Sequence, residues 1–306
     1  MLRFLISRLL QGFIVILGVL TITFVLLKSA PGSPLDDERN IPEHIRQQQA
    51  VILGLDKPVY VQFWRHLVSF ATFDFPASSK NPGRGVDEII VQAFPVSATV
   101  ALAALVIAIG FGIPMGALAA VRAHTFDDRA CMFIATLGIC TPSMVLGPVI
   151  ALVLGLKLRW FNASGWYDWD DWILPSLTLG IIYSAYIARL TRGGLRETLA
   201  QDFIRTARAK GASEMAIVFR HSFKLACLPV LNYLGPTAAG LMTGSIVIET
   251  VFQLPGLGQH FVGAAVNRDF VLAMATAAFY AVLIIGFNLL VDFLQALINP
   301  RIGFKS

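Results

Sequence analysis

The amino-acid sequence predicts an all-α integral membrane protein with six transmembrane helices, and three observations carry that prediction. Of 306 residues, 56% are hydrophobic and only 14% charged, which is more apolar surface than a water-soluble domain of this size buries. The apolar residues fall in runs of about 20, the length that crosses a bilayer. Lys and Arg gather in alternate short loops between those runs, the pattern that sets membrane orientation. These loops account for the formal net charge of +5. The basic residues form no patch with interleaved aromatics, so membrane lipid and not nucleic acid is the expected surroundings.

The first apolar run, about 9–27, follows Arg3 and Arg8 and has the outline of a secretory signal. It is long for one and ends in Lys28-Ser29-Ala30-Pro31, where proline after the small residue hinders cleavage. Residues 1–28 are therefore expected as a cytoplasmic start and an uncleaved first span. Residues 29–93 carry charges throughout and are broken by Pro31, Pro34, Pro42, Pro58, Pro76 and Pro82. Broken backbone is not tolerated in hydrocarbon, so this stretch reads as a small water-facing, periplasmic lobe with no part in lipid. Residues 94–306 form the core domain, with spans at about 94–121, 129–157, 172–191, 226–250 and 271–297 and a cytoplasmic loop at 192–225.

Orientation follows from the short loops. Arg122 and Arg129, then the cluster from Arg189 to Lys224, then Arg301 and Lys305, lie on one side; the opposite short loops hold Lys157, Arg159 and Arg268. Both termini are thus expected in the cytoplasm. Trp160, Trp166, Trp169 and Trp172 gather at one outer boundary, as an interfacial aromatic belt does. Cys131, Cys140 and Cys227 form no CxxC pair and lie in or beside apolar segments, where cysteine acts as a small hydrophobe.

Catalytic chemistry is not expected. No stretch matches GxxxxGK[ST], so the chain has no phosphate-cradling loop and any ATP and Mg must be bound by a partner; no cofactor or metal is expected in this chain. His44, His66, His124, His221 and His260 are scattered without ligand spacing. No serine and base form a convincing pair at depth; Ser184 and Ser245 read as small residues that let helices approach and hydrogen-bond across an interface.

The most informative segment lies between the fourth and fifth spans. Phe203, Ile204 and Ala207 recur on one face of a 3.6-residue period, with Arg205, Arg208 and Lys210 largely on others. Thr206 and Ala209 complete the turn, and Gly211 stands where a left-handed cap is wanted. A short amphipathic helix at a membrane surface either lies on anionic lipid or inserts into a groove on a soluble partner, and periodicity leaves both open.

The segment FIRTARAKGASEMAIVFRHSFKLACLPV (203–230) resembles the EAA loop of ABC importer permeases, in the form of the peptide and nickel branch. LLKSAPGSP (26–34), FPVSATVALAALVIAI (94–109) and GSIVIETVFQLPGLGQHFVGAAVNRDF (244–270) resemble other stretches of that family, closest to the B-type membrane subunit of oligopeptide permeases. Ala207 and Gly211 match the general loop; Arg205 and Thr206 stand where it has glutamate and alanine. The resemblance implies a type I importer permease fold in the bacterial inner membrane. It implies that Phe203–Gly211 form a coupling helix docking on an ATPase. The implied partners are a second homologous permease, two ABC ATPase subunits and a periplasmic or lipid-anchored peptide-binding protein. The implied substrates are peptides, with oligopeptides ahead of dipeptides, murein peptides or nickel chelates.

Glu249 is expected at the outer end of the fifth span, before Pro255-Gly256-Leu257-Gly258, where it is either a hydrated interfacial carboxylate or, with that turn, part of an outer gate. Tyr183 and Tyr186 either pack within the fourth span or line the passage. Asn288 and Asp292 share one face of the last span and are expected to bond helix to helix. A self-sufficient secondary transporter would instead need broken mid-membrane helices, ion-coupling charges or an inverted repeat.

Overall fold

The computed structural model describes residues 2–29, 51, 56–72, 75–76, 78 and 83–298. Pro31, Pro34, Pro42, Pro82, His44, Arg301 and Lys305, with the end of the 26–34 stretch, lie outside them. Every element among the described residues is helical: α1 (Leu2–Ser29), α2 (Val59–Thr72), α3 (Val86–Val121), α4 (Phe126–Cys140), α5 (Ser143–Ile150, continued as a wide π-helical turn, Ala151–Lys157), α6 (Ile173–Leu199) and α7 (Asp202–Ala209). The chain continues through α8 (214–226, with a π-helical stretch at Ile217–Ser222), α9 (Leu228–Met242), α10 (Ile246–Val251), α11 (Leu257–Val266) and α12 (Phe270–Ile298). Among the described residues, four helices are long and apolar enough to cross a membrane, and two bent pairs bring the number to six if each pair is one span.

The first and last helices follow the apolar runs, with α1 starting earlier. The others differ in instructive ways. α3 begins at Val86, because Val86, Ile89 and Ala93 repeat the helical period on a buried face and Asp87 and Glu88 complement the dipole of its first turn. The third span is two helices bent by 102°. Pro142 has no N–H to continue α4 and forces Thr141 into extended backbone at φ −86°, ψ 116°. The fifth is α8 and α9, bent by 49° beside Pro229, and it ends at Met242. Gly244, at φ +88°, separates it from α10, so Glu249 belongs to a short helix of its own and not to the end of the fifth span. α6 runs to Leu199, two turns past the expected end, so residues 192–199 are helix and not loop.

The chain divides into two compact units: residues 98–254 with 286 onward, and residues 2–97 with 255–285. In the first unit α6 is the central post. Gly112 and Gly116 of α3 meet Ser184, Ala188 and Thr191 of α6: a Cβ at Gly112 would lie 2.7 Å from the Ser184 carbonyl oxygen, and one at Gly116 would overlap the Ala188 carbonyl. Gly180 receives Ile107 in the same seam. In lipid, where oily side chains gain nothing by leaving the solvent, such small residues let backbones approach and dispersion hold them. Ser184 donates its hydroxyl to Ile181 of its own helix at 2.7 Å, so it serves the seam by size and not by a bond across it, and Ser245 only precedes α10. On other sides of α6, Ala135 of α4 packs with Ala185 and Ala188, and the Ala226 carbonyl of α8 lies against Gly194.

The segment 158–172 is tied by Asp171, which accepts the Asp168 N–H at 2.7 Å, the Asn162 side chain at 2.9 Å and the Tyr167 N–H. Burial pushes its carboxyl up, but these donors outweigh burial and hold it below its ordinary value. The tie presents Trp160, Tyr167 and Trp169 outward.

In the second unit, Val86, Ile89 and Ala93 of α3 pack with Leu257 and Ala264 of α11 and with Val271, Leu272 and Ala275 of α12. The Leu257 N–H donates to the Ser97 hydroxyl at 2.9 Å, and Asp269 accepts from the Ser78 hydroxyl. α2 comes from the stretch read as a lobe clear of lipid, yet it packs on Leu20 and Phe24 of α1 and Met274 and Ala278 of α12.

Candidate coupling helix

The sequence from Gln201 to Gly211 folds as anticipated, and its ends explain why. Gln201 is extended at φ −77°, ψ 152°, and Asp202 opens α7 where a carboxylate suits the dipole. At the other end Gly211 sits at φ +84°, the Gly211 N–H donates to the Arg208 carbonyl at 3.0 Å, and the Ala212 N–H to the Ala207 carbonyl at 3.2 Å. Those paired bonds are the Schellman closure, which needs a residue without a Cβ penalty at the left-handed position.

Ile204 is wholly buried and Ala207 half-buried, so the seat of α7 is one row wide. Phe203, expected on the same face, is 40% exposed. At about 100° per residue it stands a quarter-turn from Ile204. Phe203 therefore joins Arg205, Thr206, Ala209 and Lys210 on an outward surface. An ion pair from Arg205 to Asp202 at 3.3 Å stays within the helix. Arg208 grips Glu214 with two bonds, 2.8 and 3.1 Å, tying α7 to the first turn of α8.

α8 leads to the post. Val218 and Ala226 of α8 pack with Leu195 of α6 and Ala120 of α3. Nearby on α6, Arg192 makes a two-bond clamp on Asp128 of α4, at 2.6 and 2.8 Å, and Asp128 is 3% exposed. The His124 N–H also donates to Asp128 at 2.9 Å, and Arg196 meets the His124 ring at 3.0 Å. Sequence reading took Arg192 and Arg196 only as topology markers, since their partners lie 64 and 72 positions away. Replacing Asp128 by Ala is expected to cost about 2 kcal/mol, because it strands a partly buried guanidinium. Thermal unfolding of the purified protein measures this, and Arg192→Lys with Asp128 in place should retain less than half of the pair's contribution, since lysine cannot make the fork.

The other sequence candidates lie outside α7. Glu249 is 3% exposed, and its carbonyl accepts the Leu254 N–H at 2.8 Å. It belongs to the first unit; Pro255, Gly256, Leu257 and Gly258 belong to the second, where only Pro255 and Gly256 precede α11. Tyr183 packs with Ala108, Ile187 and Val230, while Tyr186, 38% exposed, stacks on Tyr233 with centroids 5.8 Å apart. Asn288 stands against Gly235 of α9, and Gln295 donates to Asn232 at 2.5 Å, so this face of α12 meets α9 through polar groups.

Residues 112–304 match the family described as binding-protein-dependent transport system inner membrane component, and residues 1–102 match the N-terminal region of such membrane components. The chain belongs to this permease family. The permease is 39% identical over 306 residues to the oligopeptide transport system permease protein OppB of Haemophilus influenzae, covering 99% of this chain and 100% of that one. It is likewise 39% identical over 302 residues to the dipeptide transport system permease protein DppB of Bacillus subtilis, covering 99% and 98%. OppB of Escherichia coli is 38% identical over 306 residues, with 99% and 100% covered. A crystal structure of an amino acid ABC transporter with histidines superposes with a TM-score of 0.52 at 18% identity, over 68% of this chain and 92% of that one. The permease is a multi-pass membrane protein with the type I importer permease fold.

Proposed function

We propose that this chain is a membrane-spanning subunit of an ATP-driven importer of peptides, and that it moves when an ATPase pushes on α7. The observation that carries this reading is a short, capped helix that is buried along one row, exposes Phe203, and is clamped by Arg208 and Glu214 to a span. The match to the oligopeptide and dipeptide permeases along nearly the whole chain supports the substrate class.

Both termini lie in the cytoplasm in this reading, which places α7 where an ATPase can reach it. In this reading a push on α7 reaches the spans through its contacts. Ile204 pins the helix, Arg208 passes the displacement to α8, and the close approach of Ala226 to Gly194 passes it to α6. Densely packed helices move as bodies, so α6 shifts with them. A second homologous permease completes the passage, two ATPases bind ATP and Mg, and an external binding protein delivers the peptide. Glu249 with Pro255–Gly258 at an outer gate, and Tyr183 and Tyr186 along the path, are the remaining assignments of this reading.

Oligopeptides are the proposed substrates, although one dipeptide permease, that of Bacillus subtilis, is equally similar at 39%. Vesicles holding the complete transporter should accumulate peptides of three to five residues (about that length, as a probe set) on addition of ATP, and neither dipeptides nor nickel at comparable rates. Uptake of dipeptides alone would move the assignment to that class; uptake of nickel alone would sink the peptide reading.

A further inference from the structure

α2 is placed by contacts that also give its depth. Lys28 Nζ lies 5.8 Å from the centroid of the Phe270 ring, so the end of α1 and the start of α12 are level, and a lysine there marks the hydrocarbon boundary. Phe24 and Met274 are each one turn inside that level, about 6 Å, and Leu20 and Ala278 two turns inside, about 12 Å. These four residues form the floor on which Phe63, Leu67 and Phe70 of α2 pack. Phe63 and His66 lie 5.2 and 6.0 Å from the Phe24 ring, and His66 and Phe70 border a small gap with Leu20, Met274 and Ala278. Half of a hydrocarbon core is about 15 Å, so a helix standing in water above the spans would not reach these partners.

The opposite face fits lipid. Tyr60, Trp64 and Val68 recur every four residues and are 74%, 66% and 44% exposed. In the same unit α1 exposes Ile22, Val25 and Leu26, so α2 continues a lipid-facing apolar surface. Tyr and Trp are the residues that favour the headgroup boundary, where ring and polar tip are both accommodated. The polar groups of α2 suit that depth. The Gln62 amide donates to the Lys57 carbonyl at 2.7 Å and the Thr72 hydroxyl to the Val68 carbonyl at 2.9 Å. Arg65 is the one charged residue of the helix, and its stem is long enough to carry the guanidinium to the headgroups.

We infer that α2 is an interfacial helix sunk in the leaflet where α1 ends, with its Tyr60-Trp64-Val68 stripe in contact with lipid. That leaflet is the outer one, a clause that rests on the orientation proposed above. The test places a nitroxide at Trp64→Cys and Val68→Cys, one at a time, in the full chain with Cys131, Cys140 and Cys227 replaced by Ser. The complete transporter is reconstituted in phosphatidylcholine and phosphatidylglycerol liposomes. Collision with oxygen should exceed collision with a nickel chelate severalfold at both positions, as at the lipid-facing control Val25→Cys, and Lys57→Cys should show the reverse. Nickel-dominated collision at Trp64→Cys and Val68→Cys would overturn the inference in favour of a water-facing lobe. Low access to both reagents would overturn it in favour of a covering protein. Labelling of Lys57→Cys by a membrane-impermeant maleimide from the cytoplasmic side only would reverse the orientation and leave the depth result standing.

Discussion

Replacing Phe203 by Asp should reduce ATP-driven uptake more than tenfold while leaving the chain inserted in the membrane. Phe203 is an apolar side chain left 40% exposed on a helix whose own seat is filled by Ile204. An aromatic in a partner's pocket is worth about 2 kcal/mol or more, and 1.4 kcal/mol is a factor of ten in affinity. Phe203 is still partly covered by the chain's own residues, so thermal stability should fall by about 1 kcal/mol, well short of the loss in uptake. Co-purification of the ATPase should fall with uptake. Ile204→Asp would give the same loss of transport by another route, because it removes the pin, and it should lower stability as well. Unchanged uptake by Phe203→Asp would show that α7 does not dock through this face.

Gly116→Val should prevent the chain from accumulating in a folded form. The substituted Cβ would fall on the Ala188 carbonyl and 2.7 Å from the Thr191 Cβ, both on the central helix α6. Neither can move alone, so the two helices must part along the seam that Gly112 and Gly180 also keep closed. Parting costs dispersion over the whole crossing, and more than about 4 kcal/mol is expected. Gly110→Val is the control: a Cβ at Gly110 meets nothing within 4 Å. Gly194 and Gly193 form a second such pair, since only a Cβ at Gly194 would meet the Ala226 carbonyl. Membrane-fraction yield and thermal unfolding in detergent distinguish these outcomes.

The order of the apolar spans was legible in the sequence, with their number six when each bent pair is counted as one span, because runs of about 20 apolar residues have few other uses. The breaks within them were not. Hydropathy runs through Thr141-Pro142 without interruption, although the missing N–H of Pro142 bends the third span by 102°. The cap of α7 was legible at Gly211, a position open to a side chain in space and closed to one by its φ of +84°. A bulky residue there would act through backbone strain of about 1 kcal/mol and not through collision. Phe203 was misplaced because a period of 3.6 says which residues share a face, and not how wide the receiving surface is. The clamp of Arg192 on Asp128, and the seam of Gly112, Gly116 and Gly180, join residues far apart in the chain and leave no local signal. α2 was read as water-facing from the prolines around it, whereas its own face of Phe63, Leu67 and Phe70 has a place beside α1 and α12.

In the proposed mechanism this chain supplies no energy and receives work through α7 from a nucleotide-consuming neighbour. The direct measurement is peptide accumulation in proteoliposomes made with this chain alone, with both permeases and the binding protein but no ATPase, and with all components. Accumulation against a gradient is predicted only in the last, and only with ATP. Accumulation by the chain alone, with or without an ion gradient, would contradict the account.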